Sequence, residues 1–297
     1  MHMKIVLSRK GLDSEYGGIP SPVIKNGKGE WMYIPIPIPS PHTNDIKYSE
    51  LSWPEEFKNP SSFYEKITLK SEKTEHCHLD PDINRDYLND RHDEWTPNFG
   101  QVKSAQSHLK NNQIGANDIF LFFGWFKKYE YSNGMYKPIN DGFPNGFHAI
   151  YGYLQIEKKL SIIINDEIPE WLKYHPHFKN KEHKEFNHIN NSIYIANKYF
   201  NHSKVNNKKG ANIFKFDEKL VLTNPNDDKA RRSYWRFPET FSINNVDLTY
   251  NTNRIKWSIK DGNVLLQSAC KGQEFVFNDD TGTVEDWCIN LINEFSV

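Results

Sequence analysis

Hydrophobic residues gather in a few short blocks separated by long polar stretches. Residues 119–126, IFLFFGWF, are apolar on both faces and predict a strand buried on both sides. Residues 149–156, AIYGYLQI, predict an adjacent core strand paired with it across the polar excursion 127–145. Shorter strands are expected at 5–7, 192–196, 264–266 and 274–277. Val102, Ala105 and Leu109 recur at three- and four-residue steps, which predicts a helix over 101–109. A last helix capped by Thr283 would carry Val284, Trp287, Cys288, Leu291 and Ile292 as its apolar stripe. Glycine and proline make 16–22 a fixed loop, and 64–69 is a strand or a short helix. Proline at every second position of 35–39 excludes a helix or a central strand over 31–39 and leaves an edge strand or polyproline geometry.

This pattern predicts an α+β fold, one large mixed domain over 1–297 around a central, mostly antiparallel sheet, with a soft boundary at the polar loop 198–210. The longest apolar runs, such as 119–123 and 160–164, are far too short to cross a bilayer, and no signal-peptide pattern opens the chain. The expectation is a cytoplasmic protein with no membrane partner. Cys77, Cys270 and Cys288 show no metal or disulfide spacing and are expected to be structural thiols. A net charge of −1 removes the basic footprint of a protein that grips long DNA nonspecifically, so any nucleic-acid contact must be local.

Four motifs carry candidate chemistry. In 76–82, HCHLDPD, His76, His78, Asp80 and Asp82 occupy alternate positions and would share one face of an extended segment. Imidazole with carboxylate suits Zn, Mn or Fe(II), and His78, Asp80 and Asp82 are the metal candidates. The competing reading is a solvated turn whose aspartates cap a helix starting near Ile83. His175 and His177 flank a proline, with Glu170 before them and His183 and His188 after; they read either as ligands and bases or as surface histidines. His148 and His108, taken singly, read as satisfied structural histidines. The loop 8–18 offers Arg9, Lys10 and glycine amides to a phosphate without the P-loop spacing. Residues 229–236, KARRSYWR, interleave cations with aromatics, as phosphate pairing with base stacking requires or as a snorkelling strand would.

Taken in order, SRKGLDSEYGGIPSP (8–22), HLDPD (78–82), FGQVKSAQSHL (99–109), DIFLFFGWF (118–126), HAIYGYL (148–154), HPH (175–177) and GQEFV (272–276) form a set more specific than any single motif. On it the chain resembles the nucleotide modification associated domain 3 family. The resemblance implies an α+β domain in a bacterial or phage setting of DNA modification and defence, and a nucleotide or modified-DNA partner. The family's polar positions map onto Arg9, Lys10, Asp13, Tyr16, His78, Asp80, Asp82, Gln101, Gln106, His108, His148, His175, His177, Gln273 and Glu274. A second likeness, over 117–156, is to the paired strands of PUA-like barrels, which bind modified or flipped bases.

The reading that uses most of these residues is an enzyme acting on a nucleotide or modified base by metal-assisted hydrolysis or phosphodiester cleavage. Its catalytic set would be His78, Asp80, Asp82, His148, His175 and His177. Arg9, Lys10, Asp13, Tyr16, Gln101, Gln106, His108, Gln273 and Glu274 would bind the nucleotide or its phosphate, with Tyr16 and Trp125 as stacking surfaces. The alternatives are a noncatalytic PUA-like reader and a subunit that docks a protein partner through 31–39.

Overall fold

The computed structural model describes residues 2–69, 74–163, 167–241, 246–253, 256–269 and 272–296. The chain opens with β1 (Ile5–Arg9) and a two-residue strand, β2 (Tyr16–Gly17). It then forms the hairpin β3 (Ser21–Lys25) and β4 (Trp31–Tyr33), so the irregular stretch expected through residue 22 already ends at Ser21. Pro22 is tolerated because it stands at the start of a strand. Two short strands, β5 (Ile38–Pro39) and β6 (Ile46–Lys47), pair on either side of a later one. After α1 (Ser61–Tyr64) and β7 (Thr68–Leu69) comes that partner, β8 (His76–His78).

β9 (Asn98–Gln101) leads into α2 (Lys103–Asn111), which therefore starts beyond the expected Gln101. The two apolar blocks become β10 (Ile119–Ser132) and β12 (Phe147–Ser161), with β11 (Met135–Pro138) between them. Next come α3 (Pro176–Lys179), β13 (Ser192–Ala196), β14 (Ala211–Ile213), β15 (Tyr234–Pro238), β16 (Val246–Leu248), β17 (Trp257–Lys260), β18 (Asn263–Gln267), β19 (Glu274–Asp279) and α4 (Thr283–Phe295). Thr283 is the first residue of α4 and not its cap; Asp279 Oδ2 accepts from Val284 N–H at 2.7 Å instead.

An 11-stranded sheet runs in the order β16, β19, β1, β10, β12, β13, β9, with β3, β4, β11 and β14 joined at its sides. β10 lies parallel to β1 and to β3, and the other pairs are antiparallel. The fold is α+β, as the hydrophobic pattern predicts. The PUA-like barrel expectation does not hold, because the sheet stays open between β16 and β9. Asn98 of β9 exchanges two backbone hydrogen bonds at 2.9 Å with Asp82, which lies on its outer side, and that edge is not offered to β16.

β10 and β12 pair through eight registered positions, and Phe120, Phe122, Phe123, Phe147, Tyr153 and Leu154 have no exposed surface. Fully burying one such side chain contributes roughly 1.5–3 kcal/mol, which makes this pair the scaffold on which the polar loops are carried. Cys77 and Cys288 are buried, and burial pushes both thiols up and keeps them unreactive, whereas Cys270 and the end of the 160–164 run lie outside the described residues. No helix among the described residues is long and apolar enough to cross a membrane.

Candidate functional site

Asp80 stands just past the end of β8, and three imidazoles surround it. Asp80 Oδ2 lies 3.7 Å from His78 Nε2 and 3.7 Å from His177 Nε2, while Asp80 Oδ1 lies 3.6 Å from His175 Nε2. These separations are too long for hydrogen bonds. They are close to the ~3.4 Å edge of a tetrahedron whose ligands stand ~2.1 Å from a central ion. Among the described residues, donor atoms of His78, Asp80 and His177 all lie within 4.8 Å of one another.

Hydrogen bonding decides which ring nitrogens are available. Asn191 donates to the His177 and Phe186 carbonyls at 3.1 and 2.9 Å, so its Oδ1 must accept from His177 Nδ1, 2.8 Å away. His177 Nε2 then carries a lone pair aimed at Asp80. Burial pushes this imidazole down to about 3, so it is neutral, as a ligand must be. His78 Nδ1 faces Asp45 Oδ2 at 3.8 Å. Burial alone would lower His78, but the Asp45 and Asp80 carboxylates outweigh it and raise it to about 9, so this ring is protonated at neutral pH and an ion would have to displace its Nε2 proton to bind there. Asp45 is held in turn by Ser40 Oγ at 2.5 Å and Asn180 Nδ2 at 2.7 Å. Asp45 thus faces the His78 ring from beyond hydrogen-bond reach, whereas Asn191 accepts from His177 Nδ1 as the outer support of a metal-bound histidine does.

His175 differs from the other two. It caps α3, and its Nδ1 accepts from His177 N–H at 3.2 Å. Nε2 must then carry the hydrogen in the neutral ring, which leaves no lone pair for an ion. His175 is therefore suited to orienting Asp80, whose Oδ1 also accepts from Gly100 N–H at 2.8 Å. Burial works against ionised Asp80, but His175 and His78 hold its carboxyl well below the usual range.

Asp82 does not join this cluster. Its backbone pairs with Asn98, and its carboxylate accepts from Arg91 at 2.5 and 2.6 Å, from Trp95 Nε1 at 3.2 Å and from the Tyr174 hydroxyl. Its oxygens are taken, and the short 3-10 helix that follows, Arg85–Tyr87, is capped by Asn84 and by neither aspartate. His76 and His78 share a face of β8, but His76 is not among the groups around Asp80.

His148 is likewise apart. Its Nδ1 accepts from Trp235 Nε1 at 3.1 Å, and its ring packs edge-on to Phe123 and Trp235. Burial, then Arg9 and Arg232, push it well below its ordinary 6.5. A histidine held neutral in the fold but free to charge when unfolded makes stability fall as pH drops below about 6.5. His148→Gln keeps an acceptor for Trp235 and cannot be protonated. It is expected to lose less melting temperature than the wild type between pH 7.5 and 5, and equal losses would refute this role.

A second polar group forms on Gln101, the neighbour of Gly100 on β9. Glu274 Oε1 accepts from Gln101 Nε2 (2.7 Å), Ser8 Oγ (3.0 Å) and Lys10 Nζ (3.0 Å). Lys10 is thus paired with a carboxylate where a phosphate was expected. Arg9 packs against the Phe123 and Phe275 rings and donates to the Ala269 carbonyl. Asp13 Oδ1 accepts from Glu15 and Tyr16 N–H, which fixes the turn that positions half-buried Tyr16. His108 meets Thr249 Oγ1 at 3.1 Å, Gln106 bonds the Tyr194 hydroxyl, and exposed Gln273 accepts Arg9 N–H through its carbonyl. In 229–236, Arg232 lies 3.9 Å over Trp125 and donates to Ser14 Oγ, Arg231 pairs with Asp227, and Trp235 is buried. Only Tyr234–Arg236 of this segment lie in a strand, β15, and Arg231 and Arg232 stand in the turn before it. The glycine loop still abuts the histidine cluster, since Gly11, Asp80, Tyr87 and Tyr151 line one cavity of about 20 Å³, room for about one water.

Compared with known families, residues 4–278 match the model of nucleotide modification associated domain 3. The chain belongs to the nucleotide modification associated domain 3 family. The match takes in every motif on which the resemblance rests, the Asp80 cluster among them, and supports a DNA-modification-related context. No curated protein and no solved structure matches this family member. Reading the sequence missed Asp45, Ser40, Asn180 and Asn191, the buried polar residues that surround the Asp80 cluster. Each lies in a polar loop with no motif, and only its burial in the fold gives it away.

Proposed function

We propose that the protein is a metal-dependent hydrolase acting on a nucleotide or modified DNA base, with a divalent ion (Zn, Mn or Fe(II)) held by His78, Asp80 and His177. The carrying observation is the pair of Nε2 atoms facing one carboxylate oxygen, with His177 hydrogen-bonded at Nδ1 to Asn191 and His78 Nδ1 facing the Asp45 carboxylate at 3.8 Å. Three protein donors leave coordination positions open for water or substrate. When bound, such an ion lowers the pKa of water and polarises a phosphoryl or carbonyl oxygen. Gly100 N–H holds Asp80 Oδ1 in place, with the His175 ring beside it, and the Asp45 carboxylate faces the outer edge of His78. The nucleotide or modified-base substrate follows from the family context. The PUA-like argument for a base reader loses its basis in the open sheet.

The test is metal analysis of the purified protein and of Asp80→Asn, followed by hydrolysis assays on nucleotides and modified DNA. The wild type is expected to hold a stoichiometric ion and Asp80→Asn to lose at least about tenfold in affinity at that site. Hydrolysis should fall in parallel. A wild type that takes up no Zn, Mn or Fe(II), or hydrolysis that survives loss of the ion, would remove the mechanism. Base binding without turnover would instead favour a reader.

A further inference from the structure

Beyond the Asp80 cluster, we infer a second transition-metal site, formed by His42, His183 and Glu185 at the rim of a groove of about 400 Å³. Ligand atoms of the three residues lie within 4.8 Å of one another. His42 Nε2 stands 3.3 Å from Glu185 Oε2, and the His42 and His183 rings meet edge-on with centroids 4.4 Å apart. The groove is lined by His42, Asn44, Lys179, Asn180, Glu182 and His183, so an ion there would stay open to solvent on the groove side. A surface ion pair between His42 and Glu185 would contribute little and would not require His183. Convergence of two imidazoles and one carboxylate is the donor set of Zn(II) and its neighbours, not of Mg(II) or Ca(II), which take oxygen ligands.

The supporting loops give the site its order. Ser40 Oγ accepts His42 N–H at 3.1 Å while donating to Asp45, and Asp45 N–H donates to the His42 carbonyl at 3.1 Å. One turn therefore carries His42 to the groove and Asp45 to the Asp80 cluster. The 183–191 segment does the same, with His183 and Glu185 on one side and Asn191 on the other. Phe186 packs against His42, His78 and His177, with ring centroids 5.6, 5.8 and 4.9 Å apart. Filling the groove site would stiffen both loops that hold the inner histidines, a coupling carried by shared packing.

The proposal stands on its own ligands and does not depend on the hydrolase reading. Its test is Co(II) and Zn(II) titration of the full chain, with stoichiometry from calorimetry and ligand type from the Co(II) visible spectrum. His183 is exposed, so His183→Ala should fold as the wild type does, and circular dichroism checks this. His183→Ala is expected to bind one equivalent fewer than the wild type. Asp80→Asn is expected to keep one equivalent, which is lost on adding His183→Ala. Unchanged stoichiometry and spectrum in His183→Ala would overturn the groove site whatever Asp80→Asn does. Loss confined to Asp80→Asn would overturn it while leaving the inner centre standing.

Discussion

Asp82→Ala is expected to lower stability by about 3–5 kcal/mol, because it leaves the Arg91 guanidinium buried without its carboxylate. Both partners are inside the protein, with side-chain exposures of 4% for Arg91 and 0% for Asp82. Trp95 Nε1 and the Tyr174 hydroxyl also lose an acceptor, although they keep each other at 2.9 Å. The melting temperature should fall by roughly 6–15 °C. Asp80→Asn, two residues away, should do the opposite: it should keep most of the stability and lose the ion. A variant at 82 that melts like the wild type, or one at 80 that is the less stable of the two, would mean that the two aspartates have been assigned to the wrong roles. Arg91→Met with Asp82→Leu should recover much of the loss, since replacing both partners removes the unpaired charge.

That contrast marks what can be read from the chain and what cannot. The strands at 119–126 and 149–156 are legible because they are apolar on both faces, and α4 because its stripe repeats every three to four residues. HLDPD is legible as chemistry, but nothing in its spacing separates Asp80 from Asp82. The difference is made by Arg91 and Asn98, nine and sixteen residues on, and by Tyr174, which arrives from 92 residues away, and none of them belongs to the motif. Lys10 looked ready for phosphate because its neutralising partner, Glu274, lies 264 positions later. The barrel likeness failed for a related reason: one strand pair shows local order, whereas closure depends on edges, and Asp82 already occupies that of β9. Asp45 and Asn191 were hidden because a polar residue in a polar loop looks the same whether it faces water or a buried imidazole.

Gly100→Ala is expected to disable the inner centre without altering a ligand. A methyl group at this position would lie 2.7 Å from His175 Cε1 and 2.7 Å from His177 Cδ2, closer than carbon atoms approach without movement. Neither ring has room to yield: His177 is tied at Nδ1 to Asn191, and His175 at Nδ1 to the His177 amide. If the rings hold, β9 must move instead, and the Gly100 N–H that fixes Asp80 Oδ1 moves with it. Either response spoils the ~0.5 Å precision that a preorganised site requires. Strain of this kind costs roughly 1–3 kcal/mol in stability, and metal affinity should fall by about 10–100-fold. A Zn(II) competition titration beside a thermal melt measures both effects. Wild-type affinity in Gly100→Ala would show that the imidazoles do not need the close backbone approach seen here, and that a looser cluster suffices to hold the ion. The atoms nearest a methyl group at position 100 belong to His175 and His177 and not to the groove ligands His42, His183 and Glu185, so the equivalent assigned to those should remain. One equivalent lost and one kept is therefore the expected pattern, and loss of both would mean that the two sites fold as a single unit.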